Sequence, residues 1–179
     1  MYGPSGRGSM LSCVELCDRL VAMPEKRIRI RPLLGRPGSD CRSLTFRLGP
    51  EFASLRLHDC PAIDSTCARD LTPLKEFRPI RFRCRDLLVL APGSTVLGMT
   101  LERLQLPRDI SAEMTGLSSL GRIGFGVHLA SGMIPPGFAG RLVLELTNFG
   151  SVPLGVHVGM AIAQILFFRC DTESPEEVG

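Results

Sequence analysis

Lysine, tyrosine and tryptophan are nearly missing from this sequence. It has 179 residues with one Tyr and no Trp, and Lys26 and Lys75 are its only lysines. Arginine therefore supplies most of the 21 basic side chains, and its planar fork suits phosphate and carboxylate better than lysine does. A formal net charge of +3 does not by itself indicate nucleic-acid binding. Arg81, Arg83 and Arg85 share one predicted strand face, and that face carries no aromatic residue because Phe82 alternates to the other face, so we expect a solvated face and no nucleic-acid partner.

Long apolar runs and paired cysteine motifs are also absent. No run of about 18 apolar residues occurs, so no membrane-spanning helix is expected. Residues 1–9 are polar and lack the apolar stretch of a signal peptide, which predicts a cytoplasmic protein. The cysteine count is seven, an odd number, and no CxxC occurs. Reduced thiols are therefore favoured over a disulfide framework.

Several familiar catalytic motifs are missing as well. Zinc deaminases need His-x-Glu and Pro-Cys-x-x-Cys to hold their metal, and neither occurs around His58, His128 or His157. There is no GxxxxGK[ST] phosphate loop and no Gly-x-Ser-x-Gly elbow. Any hydrolysis by this chain must therefore proceed without a protein-bound zinc site and without a standard triad.

The periodicity of the chain predicts an all-β domain with one short N-terminal helix. Ser12 and Glu15 form a capping box before apolar residues at helical spacing, and Pro24 ends that helix. Alternating or short apolar runs then predict strands at 27–31, 43–48, 79–85, 87–90, 96–101, 142–147, 156–158 and 160–168. We predict a flexible lead over 1–9, one domain over 10–169 and a disordered acidic tail over 170–179.

Two segments carry candidate chemistry. Ser118, Ser119 and Arg122 fall within one turn of chain, so a helical turn that begins at Ser118 would direct N–H groups and hydroxyls outward to an anion. The alternative is a serine cap on a short helix. Glu145 is a lone carboxylate in the apolar run 142–146, which makes it a candidate general base or acid. The alternative is an exposed Glu on a solvated strand face.

The sequence resembles the dCTP deaminase branch of the dUTPase superfamily. The matching segments occur in family order over roughly 80% of the chain, about the length of one domain, and the match is weakest between residues 50 and 78. They are Met10–Ser12, Arg31–Leu33, Arg47–Gly49, Pro92–Gly93, Thr100–Glu102, Leu106–Pro107, Ser118–Gly124, Val127–His128, Ile134–Gly140, Val143–Glu145 and Gly159–Met160. The resemblance implies a dUTPase-like distorted β-barrel and a homotrimer whose sites lie between subunits. It also implies a pyrimidine nucleotide as ligand.

The same resemblance assigns roles to individual residues. Glu145 matches the catalytic glutamate of zinc-independent deaminases, and Ser118 and Arg122 match residues needed for activity and nucleotide binding. Ser119 matches a phosphate-contacting serine, and Val143 lies in the strand that carries the glutamate. Phe138 stands where the family has an aromatic residue, which either packs under the sugar or fills the core. Mg²⁺ is expected on the nucleotide phosphates, with no metal bound by the protein itself.

Three departures from the family pattern leave two functions open. Leu117 replaces the Arg before the serine pair, and Pro135 replaces the acidic residue that reads the sugar and that dUTPases use to orient water. The last residues lack the Tyr, Lys and Gln that close over the nucleotide. The chain is therefore predicted to be a divergent deaminase of a cytidine or deoxycytidine nucleotide. The alternative is a catalytically degenerate nucleotide sensor of the same fold.

Overall fold

The computed structural model describes residues 8–34, 42–55, 77–81 and 87–170. Its helices are α1 (Cys13–Val21) and α2 (Ser118–Gly121), with a 3-10 turn at Pro24–Lys26. The strands are β1 (Arg29–Arg31), β2 (Ser43–Leu55), β3 (Phe77–Arg81), β4 (Leu87–Leu90), β5 (Thr95–Gln105), β6 (Ile110–Gly116), β7 (Phe125–Gly126), β8 (Met133–Ile134), β9 (Ala139–Asn148), β10 (Leu154–His157) and β11 (Ala161–Arg169). The predicted all-β class with a short N-terminal helix is confirmed.

The strands form one large antiparallel sheet and one small one. In the nine-stranded sheet the order is β7-β9-β5-β2-β11-β6-β8, with β1 added to β5 and β3 added to β2. β10 and β4 form a separate two-stranded sheet. The centre of the large sheet is thus built from strands far apart in sequence, and β9 lies between β5 and β7. None of the described helices is long and apolar enough to span a membrane.

One hydrophobic core lies on the inner face of the large sheet. Side chains alternate along each strand, so Leu142, Leu144 and Leu146 of β9 are buried together. They join fully buried side chains from β2, β5 and β11, namely Phe46, Leu48, Leu104, Ile165 and Phe167. The outer face of β9 therefore carries the residues between the leucines.

The helix α1 closes one end of this core. Its capping box is present as predicted, with the Glu15 N–H donating to Ser12 Oγ and the Ser12 N–H donating to the Glu15 carboxylate. The Ser12 N–H and hydroxyl, helped by Arg169, hold the pKa of Glu15 below its ordinary value. Because the folded pKa is lowered, this contribution to stability is present above the ordinary pKa and is lost as pH falls through the lowered one. Arg19 also pairs with Asp109, which ties the helix to the β5–β6 connection.

The pairing of β5 is irregular on both of its flanks, and side chains of β5 accept backbone hydrogen bonds there. The pairing of β5 with β2 shifts between Leu48 and Phe52, and its pairing with β9 shifts between Met99 and Arg103. On the β2 side, the Arg47 N–H donates to Glu102 Oε2 at 2.7 Å, and Arg47 Nη1 lies 3.2 Å from Oε1. On the β9 side, the Leu142 N–H donates to Thr100 Oγ1 at 3.0 Å. Two side chains thus satisfy backbone donors where the regular strand pairing is interrupted.

Most sequence-predicted strands are confirmed, with shifted boundaries. β2, β5 and β9 are longer than predicted, and β1 is shorter because its pairing with β5 covers only Arg29–Arg31. β6 was not predicted, although Ile110, Ala112 and Met114 alternate and are buried. β3 ends at Arg81, so Arg83, Arg85 and the rest of the predicted 79–85 run lie outside the described residues.

The predicted domain boundaries stay a prediction. Residues 1–7 of the predicted lead and 171–179 of the predicted tail lie outside the described residues. Next to them, Ser9 O accepts from the Arg169 N–H and the Cys170 N–H donates to Asp109 O, each at 2.9 Å.

We expect Glu102→Ala to destabilise the fold. Glu102 is 1% exposed, so its removal leaves a cavity and takes away the acceptor of the half-buried Arg47 N–H. The free energy of unfolding should fall by about 2–4 kcal/mol, measured by urea denaturation. Glu113→Ala removes an exposed carboxylate from β6 and should change stability by less than about 0.5 kcal/mol. Equal effects of the two substitutions would contradict this role of Glu102.

Candidate functional site

The outer face of β9 presents the residues predicted for the reacting base. Val143 and Glu145 alternate with the three buried leucines and therefore point away from the core. The Val143 side chain is 53% exposed, and Glu145 is half-buried. Their neighbours across the sheet are Met99 and Leu97 of β5. The strand thus places a carboxylate and an apolar side chain beside each other on one surface.

The Glu145 carboxylate is held by the loop that follows β7. Its Oε2 accepts the N–H of Leu129 at 2.6 Å and the N–H of Ala130 at 2.9 Å. The Glu145 N–H in turn donates to Val127 O at 3.0 Å. Within the part of the chain that the structure describes, Oε1 accepts no hydrogen bond. One carboxylate oxygen is therefore fixed in place by backbone donors, and the other is available to a ligand or water.

The far side of this loop is fixed to the sheet as well. Gly132 O accepts the N–H of Met114 in β6 at 2.8 Å. A Cβ on Gly132 would lie 2.4 Å from Met114 O and 3.2 Å from the His128 ring, so a larger residue does not fit there. His128 is half-buried and packs against this glycine. The loop 127–132 is consequently held at two places. The Glu145 carboxylate attaches it to β9, and the bond from the Met114 N–H attaches it to β6.

The predicted helical turn at Ser118 is confirmed as α2. Leu117 is its N-cap residue and makes no side-chain capping bond, so the alternative of a serine cap is wrong. Ser118 and Ser119 are exposed on the first turn, and the Arg122 N–H donates to Ser118 O at 3.1 Å. The Arg122 side chain is exposed too. Two serines and an arginine thus lie exposed within one helical turn, and their role in binding an anion stays a prediction.

The single chain does not bring this turn to Glu145. From α2 the chain enters β7, where Phe125 pairs with Asn148 and Gly126 with Thr147. The Phe149 N–H donates to Gly124 O, which places the turn beyond the C-terminal end of β9. Among the described residues, no hydrogen bond or ion pair joins Glu145 to Ser118 or Arg122. The predicted catalytic residues therefore form two groups on one protomer.

Phe138 lies at the opposite end of β9 from Glu145. It closes the turn 135–138, in which its N–H donates to Pro135 O and Gly137 has a φ of 78°. Its ring packs over Gly140 and against the core while remaining half-buried. β9 begins at Ala139, and Glu145 lies six residues further along the strand, about 20 Å. Phe138 therefore both fills the core edge and keeps part of its ring accessible.

Sequence reasoning missed the groups that hold the site together. The N–H groups of Leu129 and Ala130 are backbone donors, so no side-chain pattern reveals them. Thr100 and Glu102 have these roles because β2 and β9 pair with β5 on either side of an irregular stretch, and a local pattern does not show that pairing. The described residues contain no group of three or more His, Cys, Asp or Glu placed to hold a metal ion, and the expected Mg²⁺ on nucleotide phosphates stays a prediction.

Comparison with known proteins gives a consistent set of relatives. Residues 14–170 match the family model for dCTP deaminase-like proteins. The chain is 36% identical over 164 residues to the dCTP deaminase, dUMP-forming, of Nocardioides sp., covering 90% of this chain and 82% of that protein. It is 36% identical over 135 residues to the dCTP deaminase of Natronomonas pharaonis, covering 75% of this chain and 67% of that protein.

A solved structure shares the fold. The crystal structure of 2′-deoxycytidine 5′-triphosphate deaminase from Agrobacterium tumefaciens superposes with a TM-score of 0.65 at 23% identity. The superposition covers 92% of this chain and 49% of that chain, so this chain spans about half of its length. The likeness confirms the predicted fold.

We expect Glu145 to control the order of the 127–132 loop. Glu145→Ala removes the acceptor of two backbone N–H groups, so amide hydrogen exchange at Leu129 and Ala130 should accelerate at least about tenfold. Glu145→Gln keeps an acceptor oxygen and should preserve most of the protection. Because both amides belong to exposed residues, water can replace the lost bonds, and global stability should change by less than about 1 kcal/mol. Unchanged exchange in the alanine variant would show that the carboxylate does not hold the loop.

Proposed function

Because the chain belongs to the dCTP deaminase-like family, we propose that it hydrolyses the 4-amino group of a deoxycytidine nucleotide. The products are ammonia and the corresponding deoxyuridine nucleotide. One observation carries the proposal: the Glu145 carboxylate has one oxygen fixed by two backbone N–H groups and the other open on the outer face of β9. A carboxylate fixed in this way can exchange protons with a ligand without reorienting.

The proposed reaction needs a base and then an acid at the same position. Glu145 takes a proton from water as the water oxygen bonds to C4 of the cytosine. The carboxylic acid so formed returns that proton to the exocyclic nitrogen. The C4–N bond then breaks, ammonia leaves, and transfer of the remaining hydroxyl proton to the ring nitrogen N3 leaves a C4 carbonyl. One carboxylate thus performs both transfers, and no zinc-bound water is required by this route.

The apolar side chains on either side of Glu145 suit a flat base. Val143 is exposed two residues away on the same face, and Leu97 is the cross-strand neighbour of Glu145. We propose that Val143 contacts the pyrimidine ring. Phe138 precedes the start of β9, too far along the strand to reach the sugar of a base held at Glu145 of the same protomer. Pro135 offers the sugar neither a carboxylate nor an N–H, so recognition there depends on packing.

We propose that Ser118, Ser119 and Arg122 of one copy complete the site of another copy. In a single chain these exposed groups lie beyond the end of β9 and do not reach Glu145. A homotrimer with sites between subunits supplies them from outside. Arg122 and Ser118 would then position the water and the base, and Ser119 would bind phosphate oxygens together with the Mg²⁺ that accompanies a nucleoside triphosphate.

The expected product is dUTP. The Nocardioides relative is dUMP-forming by name, which requires cleavage of the phosphate chain in addition to deamination. Pro135 occupies the position whose carboxylate orients water in dUTPases by the resemblance stated above. We therefore propose that this chain performs the deamination and leaves the triphosphate intact.

Ammonia release from a panel of cytidine and deoxycytidine nucleotides tests the proposed activity. We expect turnover of dCTP, loss of about a thousandfold in Glu145→Gln, and no loss in the exposed control Glu113→Gln. Because glutamine still accepts the loop N–H groups, this result separates proton transfer from loop support. Mass spectrometry of the product distinguishes dUTP from dUMP. Nucleotide binding without ammonia release from any member of the panel would replace the enzyme with the degenerate sensor.

Mixing two inactive variants tests the shared site. Glu145→Gln and Arg122→Ala remove groups that we assign to different copies of one site. After the two variants are unfolded together and reassembled in equal amounts, about a quarter of the sites in random trimers have both groups intact. Ammonia release should therefore recover to about a quarter of wild type. No recovery, with reassembly verified by sedimentation, would show that one copy supplies both residues.

A further inference from the structure

Three arginines stand directly opposite one another across three strands of the large sheet. Arg31 of β1 pairs in register with Arg103 of β5, and Arg103 pairs in register with Arg141 of β9. Directly opposed residues of an antiparallel pair share one face of the sheet. The Cα atoms of the three arginines therefore form a row about 10 Å long across the strands. We call these three residues the arginine row.

The charge around the arginine row is almost uncompensated. Among the described residues, Glu51 is its one acidic partner, with Oε2 3.3 Å from Arg141 Nη1 in a pair whose side chains are 36% and 43% exposed. Such an exposed pair contributes little. Arg29 adds a further positive charge beside Arg31 and Arg103. The four arginines and Glu51 together carry three net positive charges. The formal net charge of the whole chain is also +3, so the positive charge is concentrated at this place.

This arrangement lines a cleft of about 540 Å³. Its walls include the arginine row, Glu51 and the apolar side chains of Met99 and Leu101. Arg31 and Arg103 are exposed, so their guanidinium groups are accessible. The cleft is open to solvent, and the summed positive charge of its walls attracts an anion.

We propose that the arginine row is a binding site for an oligophosphate group. Like charges directly opposite each other destabilise a sheet, and an anion with several negative charges would relieve that repulsion. Arginine binds phosphate through paired N–H donors, and a row of three can contact successive phosphates. The described residues that line the cleft include no aromatic side chain for base stacking, which favours a phosphate chain over single-stranded nucleic acid.

Two kinds of molecule can supply the oligophosphate group that binds the arginine row. Arg141 lies on the same face of β9 as Glu145, four residues away and about 13 Å along the strand. The phosphate chain of the nucleotide bound at Glu145 is one source, and this option rests on the proposed function. A separate anion such as an inorganic oligophosphate is the other. The arginine row binds the same chemical group in either case.

Binding of inorganic tripolyphosphate to the full chain tests the proposal. Isothermal titration calorimetry at low salt should show an affinity that falls at least about fivefold in Arg103→Gln and in Arg141→Gln. The control Arg42→Gln removes an exposed arginine outside the cleft and should change the affinity by less than about twofold. Glu51→Gln removes the acidic group of the cleft and should tighten binding. An equal effect of the Arg42 and Arg103 substitutions would overturn the proposal, as would weaker binding in the Glu51 variant.

A thermal-shift measurement separates anion binding from loss of structure. Without anion, Arg103→Gln should melt at the same temperature as wild type or higher, because it removes a like-charge contact. With tripolyphosphate, the melting temperature of wild type should rise more than that of the variant. An Arg103 variant with a lower melting temperature and the full anion-induced rise would show a structural role alone.

Competition with dCTP distinguishes the two sources. If the row binds the phosphate chain of the nucleotide, tripolyphosphate should compete with dCTP and Arg103→Gln should raise KM for dCTP with kcat unchanged. If the row binds a separate anion, tripolyphosphate should bind in the presence of saturating dCTP. Glu145→Gln should bind tripolyphosphate as wild type does. The arginine-row proposal can therefore be tested even if the deaminase proposal fails.

Discussion

The bulge in β5 is the constraint on which the rest of the sheet depends. Residues 100–102 interrupt its regular pairing with β9, residues 49–51 of β2 interrupt the pairing of β2 with β5, and two β5 side chains accept backbone N–H groups beside these interruptions. Glu102 is an acceptor on one flank and Thr100 on the other, and the Thr100 hydroxyl also donates to Glu102 O. This buried network sets the register of β9 against β5. That register determines which β5 residues neighbour Glu145 and Arg141.

The outer face of β9 then combines two kinds of charge on one strand. Toward its C-terminal end, Glu145 is half-buried and bonded to the backbone of a loop that β6 also holds. Toward its N-terminal end, Arg141 belongs to a row of arginines that lacks comparable partners within the described chain. Backbone donors stabilise a fixed carboxylate, whereas opposed guanidinium groups gain from a mobile anion. The two ends therefore suit a reacting group and a charged ligand respectively.

Predictions from the sequence succeeded where the deciding interactions are local. The capping box of Ser12 and Glu15 spans three residues and was predicted correctly. The same is true of the helical turn at Ser118, although its cap residue is Leu117 and not a serine. β6 was missed although Ile110, Ala112 and Met114 alternate with Ser111 and Glu113, because the run is short and its apolar face includes the small Ala112. The apolar run 142–146 made Glu145 a candidate base or acid with an exposed strand residue as the alternative, and the likeness in the order of motifs assigned it the catalytic role.

The sequence by itself determined the all-β class, the N-terminal helix and the alternation that turns Glu145 away from the core. Each of these follows from side chains within a few residues of one another. Tertiary structure alone decided that Glu145 holds the loop 127–132, that Glu102 bridges a bulge and that three distant arginines lie in register. Strand pairing brings residues from β1, β5 and β9 together across long separations in sequence, and backbone donors have no side-chain signature. Local patterns contain neither kind of information.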